Sequence, residues 1–423
     1  MSQWASASPL QLVAVNFERN PELRQAFATR DTVQIVTALQ LLTNRSIRAG
    51  ETLLFLDEIQ AAPEAIVALR YFCEEMPLLH VIGAGSLLEF LADAKFSMPV
   101  GRVEYINIGP LQFEDFLNAM GETALAEWLQ QVSLAQLERA VPIPAIHDKY
   151  IALLRQYWVI GGLPEVVASF AANRSFADVT RLQQNIVATY RDDFNKYTHG
   201  TRRTRVQLVF DQLPTLVGRK FKYASVSREH RAAEIALALQ QLCMARIAYK
   251  VPHTAANGVP LAAEADGRQF KCLYMDVGLM CGALNLNLLD LQHENLSLVN
   301  NGAVAEQFIG QHLLYSGASY ETPALYCWMR EARTASAEVD YVITQGQQIL
   351  PAEIKAGKSG TLKSLHIFLQ EKHRRFGLRF NAAPPNMLRD APFPGDPGQR
   401  YNLLSLPLYM VGQTRRLLDQ FIV

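Results

Sequence analysis

Nothing in the sequence pairs its cysteines. Cys73, Cys243, Cys272, Cys281 and Cys327 stand singly, without a CxxC or any spacing a metal would need. That excludes a disulfide framework and a zinc ribbon, and reads as reduced, buried thiols of a cytoplasmic protein. The histidines form no HExxH or other tight ligand cluster. No apolar run approaches the roughly 20 residues that span a bilayer, so no membrane partner is expected. The N-terminus lacks a basic stretch followed by an apolar one, so no export signal is read there. Excess charge is missing too. Lys plus Arg and Asp plus Glu both total 40, so nucleic-acid binding would have to come from a local patch. No internal repeat is visible.

What is present is a globular composition, 49% hydrophobic and 19% charged, over 423 residues, which is too many for one core. Residues 11–123 alternate strand-like and helix-like segments: strand 11–17, helix 21–29, strand 52–56, helix 63–75 and strand 79–82. Continuous apolar strands separated by helices predict a parallel sheet covered on both faces. The pattern from 123 to about 197 is helical, broken at Gly161-Gly162-Leu163-Pro164. Two further helices, 206–217 and 231–244, precede two strands, 246–251 and 269–275, which is the order of a winged-helix unit. The remainder, 301–423, reads as a long helix, a hairpin, a short helix and a Pro-rich stretch.

Leu53-Leu54-Phe55-Leu56-Asp57-Glu58 is a buried strand ending in two carboxylates. A hydrolytic ATP site needs such a pair, one holding Mg²⁺ and one orienting the attacking water. The next strand ends in Gly83-Ala84-Gly85-Ser86, where ligands of open parallel sheets sit, and Arg102 follows a turn as an arginine-finger candidate. The bland alternative is a strand running into a solvated turn.

Four stretches together resemble prokaryotic AAA-type ATPases that carry a C-terminal domain of unknown function: Asn16-Phe17-Glu18-Arg19-Asn20-Pro21, Leu56-Asp57-Glu58-Ile59-Gln60, Gly83-Ala84-Gly85-Ser86-Leu87-Leu88 and Met98-Pro99-Val100-Gly101-Arg102. The resemblance implies that Asp57 and Glu58 are the Walker B pair, Ser86 the sensor and Arg102 the arginine finger. It also implies ATP and Mg²⁺ as cofactors and a homo-oligomer assembled through Arg102. Such proteins begin with a strand and a G-x-x-x-x-G-K-[ST] loop, whereas here 11–17 would already be the second strand. The expectation is a chain truncated ahead of Met1, or started elsewhere than its natural start, with an exposed edge in its sheet and no ATP hydrolysis.

Glu338-Val339-Asp340 and Ala352-Glu353-Ile354-Lys355 bracket a Gln345-Gly346 turn. Antiparallel pairing sets Asp340 near Pro351 to Glu353, and Glu353 and Lys355, two apart, share a face. Glu306, on a helix over 302–315, adds a fourth member. Carboxylates that bind Mg²⁺ beside a lysine are what a metal-dependent phosphodiesterase uses. The arrangement resembles the PD-(D/E)XK nuclease core, with Glu306, Asp340 and Glu353 as metal ligands and Lys355 as the catalytic lysine. The competing readings are a solvated surface hairpin, a nuclease-like domain that binds without cutting, and, for Ala352 to Ser359, a relaxed phosphate loop. Glu353 argues against that loop by charge repulsion.

Arg202-Arg203-Thr204-Arg205, Arg219-Lys220-Phe221-Lys222-Tyr223 and Lys372-His373-Arg374-Arg375 are basic stretches that suit nucleic-acid phosphates, or equally solvated faces. The sequence thus predicts an α/β protein: an incomplete AAA-type parallel sheet core (1–122), a helical lid (123–200), a winged-helix segment (201–276) and an α/β nuclease-like domain (277–423).

Overall fold

A computed structural model describes residues 9–85, 100–139, 143–197, 200–286, 301–330, 336–358 and 360–422. It divides into two compact units, one of Met1–Ile106 with Met244–Arg246 and one of the remainder.

The first unit is built on three parallel strands, β1 (Gln11–Asn16), β2 (Thr52–Asp57) and β3 (His80–Ala84), in that order. As the sequence predicts, β2 and β3 are adjacent and parallel, and Asp57 registers with Ala84 at one end of the sheet. The central strand is the apolar one because neighbours flank it on both sides. Leu53, Leu54 and Leu56 are buried, each worth about 2 kcal/mol of removed apolar surface. Helices α1 (Thr32–Thr43) and α2 (Pro63–Glu75) pack on this sheet. Asp31 caps α1 by accepting from the N–H groups of Val33 and Gln34, and Pro63 opens α2, where a missing N–H costs nothing. Helix α1 is absent from the sequence-based pattern, and residues 21–28 form a 3₁₀ rather than an α-helix.

The second unit starts with helices: α3 (Phe113–Ala119), α4 (Thr123–Gln131), α5 (Leu134–Arg139), α6 (Pro144–Ile160), α7 (Pro164–Asn173), α8 (Phe176–Tyr197), α9 (Thr201–Leu216), α10 (Tyr223–Val226) and α11 (Ala232–Met244). The β4 (Ala248–Thr254) and β5 (Ala265–Tyr274) hairpin follows, then α12 (Val277–Ala283) and α13 (Asn301–Leu314). The C-terminal part contributes β6 (Tyr326–Arg330), β7 (Ala337–Gln345), β8 (Gln348–Ile354), α14 (Lys363–Glu371), β9 (Phe376–Asn381), β10 (Asn386–Phe393), β11 (Asp396–Pro407) and α15 (Thr414–Ile422).

The β4–β5 hairpin, expected as the wing of a separate 201–276 segment, joins the C-terminal strands in one sheet ordered β10-β11-β9-β8-β7-β6-β4-β5. The join is made by His253, which registers with Cys327 and whose Nδ1 accepts the N–H of Met329 at 3.1 Å. Strands β8 and β9 are parallel and connected through α14, while β6, β7 and β8 are antiparallel. Helix α14 covers one face, burying Leu365, Phe368 and Leu369 against Trp328, Val339, Val342 and Ile349.

Candidate functional site

At the C-terminal tip of β2, Asp57 and Glu58 adopt different roles. Asp57 lies in register with Asn16, whose Nδ2 donates to Asp57 Oδ2 at 2.7 Å. Asn16 Oδ1 in turn accepts the N–H groups of Glu18 and Arg19, so one asparagine fixes both the turn and the carboxylate. Glu58 sits in the left-handed region at φ 52°, and its Oε2 accepts from Gln60 Nε2 at 2.5 Å. A non-glycine residue held there is uncommon. Arg102 is half-exposed and engaged within its own unit, with its Nε 3.0 Å from Glu74 Oε1. Ser86 lies outside the described residues.

The second constellation is assembled by a β-bulge. Trp328 registers with Val339 but Tyr326 with Val342, so Asp340 and Tyr341 together oppose Cys327. Ala337, Val339 and Val342 consequently all face the α14 core, whereas Asp340 and Tyr341 both reach the α13 side. Tyr341 Oη donates to the Glu306 carbonyl at 2.9 Å, and Asp340 Oδ2 accepts the Ile354 N–H at 2.9 Å. Tyr341 registers with Ala352 across the Gly346 turn. Continuing that register sets Asp340 beside Glu353. Lys355 Nζ donates to Glu353 Oε1 at 2.6 Å.

The residue that sequence reasoning missed is Lys271 of β5. Its Nζ donates to Glu306 Oε1 at 2.8 Å and to Asp340 Oδ1 at 3.1 Å, and it also pairs with Glu338. Burial works against the charge on Lys271, but Glu306, Asp340 and Glu338 outweigh it and hold the ammonium well above the ordinary lysine range. Burial pushes the Glu306 carboxyl up to about 7, against the pull of Lys271. Glu353 is also raised to about 7, by burial and then by the charge of Asp340, against Lys355. The only sequence signal for Lys271 was a single basic residue inside the apolar run Phe270-Lys271-Cys272-Leu273.

The structure therefore ties Glu306 and Asp340 through Lys271, and Glu353 to Lys355. Among the described residues no three His, Cys, Asp or Glu side chains are arranged to hold a metal ion. The Lys271 ammonium bridges Glu306 and Asp340, bonding to both. Ala352–Lys358 is the end of β8 and a loop tied to β9, where the Lys355 N–H donates to Phe380 O and Gly357 O accepts from the Ala382 N–H. A phosphate loop would need the Lys355 N–H free.

Compared with known families, residues 1–117 match the model of an AAA domain. Residues 151–290 match one domain of unknown function (DUF8612) and residues 301–384 another (DUF4143). No curated protein and no solved structure matches the chain. No described helix is long and apolar enough to cross a membrane.

The AAA segment fits one half of an Mg²⁺–ATP site. Asp57 ends β2 and Glu58 follows it, where the pair would hold Mg²⁺ and orient a water, and the first lysine in the sequence is Lys95. Between β1 and β3 the sequence holds no lysine that could neutralise β- and γ-phosphates. The 423-residue chain is accordingly expected to release no phosphate from ATP above background, with Glu58→Gln indistinguishable from wild type in a coupled assay. Turnover that vanishes in Glu58→Gln would contradict this.

Proposed function

We propose that this chain is an AAA-family protein whose C-terminal unit is a nuclease-like fold serving as an interaction module and not as a metal-dependent nuclease. The observation that carries the reading is the order α13–β6–β7–β8–α14–β9 with Glu306, Asp340, Glu353 and Lys355 gathered where α13, β7 and β8 meet. That order, with its mixed sheet sandwiched between two helices, supports a nuclease-like core. The lysine among its carboxylates argues against Mg²⁺-assisted phosphodiester cleavage. Purified chain incubated with linear or supercoiled DNA and Mg²⁺ or Mn²⁺ is expected to leave it intact. Cleavage that disappears in Asp340→Ala would overturn the silent-module reading and establish a working nuclease.

A second reading, DNA binding, is favoured by Arg202 and Arg203, exposed at the start of α9. Helix α11, the would-be recognition helix, exposes Ala233, Leu237 and Gln240, which gives base edges little to meet. Any affinity should therefore be sequence-independent and fall steeply with salt. Fluorescence anisotropy with duplex DNA across a salt series, comparing wild type with Arg202→Ala/Arg203→Ala, tests it. Affinity unchanged in that variant rejects this patch.

A further inference from the structure

Beside α14 a guanidinium, an imidazole and a phenol come together from three elements. Arg379 of β9 registers with Ser405 of β11, and Tyr401 stands four residues earlier on that strand, so both lie on one face of the sheet. That face is the one α14 covers. Tyr401 and Leu403 pack in the same core as Leu365 and Phe368 of the helix, and a Cβ on Gly377, two residues before Arg379, would lie 3.0 Å from Leu365 Cδ2. His366 of α14 meets Tyr401 edge to face with ring centroids 4.9 Å apart, and Phe393 at 5.8 Å.

Two of the three carry orphaned nitrogens. Arg379 Nε and His366 Nε2 are both buried with no hydrogen-bond partner among the described residues. Glu353, the register partner of Arg379 on β8, is held by Lys355 instead. Burial lowers the Arg379 guanidinium, and it is the Tyr401 phenol, not a carboxylate, that pulls it back up. A half-buried cation without a counter-charge carries a desolvation cost, and buried polar atoms in native proteins normally find partners. A guanidinium fork matches the paired oxygens of an oxyanion. Donors arriving from a strand, a helix and a second strand suit the tetrahedral oxygens of a phosphate better than the two coplanar oxygens of a carboxylate.

We propose that Arg379, His366 and Tyr401 form a binding site for a phosphate group, with Arg379 supplying the charge and His366 Nε2 and the Tyr401 hydroxyl the further hydrogen bonds. The site contains none of Lys271, Glu306, Asp340 and Glu353, so it stands whether or not the C-terminal unit is a silent nuclease-like module. A neutral imidazole carries one N–H, which its tautomer can place on Nε2 to face the anion.

The test titrates the full chain with inorganic phosphate at neutral pH and constant ionic strength, read by isothermal calorimetry. Wild type should bind phosphate, Arg379→Gln roughly tenfold or more weakly, and Tyr401→Phe, which removes one hydroxyl, several-fold more weakly. Acetate, a planar anion, should compete poorly. Two oligonucleotides of one sequence, with and without a 5′-phosphate, separate the sources of the group. Equal Arg379-dependent binding of both means a phosphodiester backbone, preference for the phosphorylated one a terminal phosphate, and binding of neither a free phosphorylated compound. If circular dichroism shows that Arg379→Gln does not fold, Tyr401→Phe and His366→Phe, which keep the ring packing, decide the matter. The proposal is overturned if wild type binds no phosphate, if acetate competes as well as phosphate does, or if the folded variants bind phosphate as tightly as wild type.

Discussion

Replacing Asp276 with alanine is expected to destabilise the second unit by about 3–5 kcal/mol, because it strips the partner from several buried donors at once. Asp276 is fully buried between α6 and α12. Its Oδ2 accepts the Gly162 N–H at 2.7 Å and its Oδ1 the Leu279 N–H at 3.0 Å, and the Gly278 N–H also bonds to it. One carboxylate therefore caps α12 and, at the same time, closes the Gly161-Gly162 turn between α6 and α7. The packing permits no bulkier substitute. A Cβ at Gly161, whose φ is 81°, would lie 2.1 Å from Asp276 Oδ1, and one at Gly278 would lie 2.4 Å from Ile160 O. Asp276→Asn keeps the size and one acceptor, so its cost should be about half. Urea unfolding at neutral pH, read as the midpoint shift, checks both. An alanine variant within about 1 kcal/mol of wild type would mean that these donors find other partners.

Stability is expected to decline by about 1–2 kcal/mol between pH 6.5 and 7.5 and then level off, with Glu353→Gln removing much of the decline. Glu306 and Glu353 keep their protons up to about 7 in the folded chain, against an ordinary value of 4.5. The folded state thus binds more protons than the unfolded one between those limits. Their contribution is complete below the unfolded value and is lost as pH rises through about 7. His312 has the opposite sign. Burial lowers it to about 4 from 6.5, so its contribution is present above 6.5 and is lost as pH falls through 4. Its geometry agrees with a neutral ring, since Nε2 accepts the Phe113 N–H at 3.0 Å while Nδ1 faces the Phe308 carbonyl. Near 6.5 His312, with His147 and His366, which burial also lowers, partly offsets the glutamates, and this opposing slope fades as pH rises above the unfolded histidine value. Urea midpoints at pH 6, 7 and 8 for wild type and Glu353→Gln decide the matter. A profile that rises over this range, or is the same in both proteins, rejects the assignment.

The sheet of the first unit was legible because each strand is short, apolar and bounded by helical spacing. Helix α1 was not, since Val33, Leu41 and Leu42 are exposed on it and blur the period a helix face should show. The β7–β8 hairpin could be read from its turn and alternation, yet β6 could not. Its five residues, Tyr326–Arg330, are too few to show a period. The Pro-rich stretch conceals β10 and β11, because Pro392 and Pro397 fall on strands at irregular or terminal positions. For the carboxylate centre, Glu306, Asp340, Glu353 and Lys355 could be nominated from local spacing. Lys271 could not, because it arrives from a strand 35 residues before Glu306 and 69 before Asp340. A contact of that separation leaves no local trace, and a bulge that shifts parity by one residue leaves little more.

The reach of Lys271 also sets a schedule for synthesis. The lysine leaves the ribosome several seconds before Asp340 at usual elongation rates. Until then it has to stay hydrated, and the β4–β5 hairpin, whose later neighbour is β6, offers an open edge to any other nascent strand. Burial of that ammonium marks the moment when the C-terminal strands have arrived, so a ribosome stalled between residues 275 and 325 should hold a chain with an open, aggregation-prone hairpin.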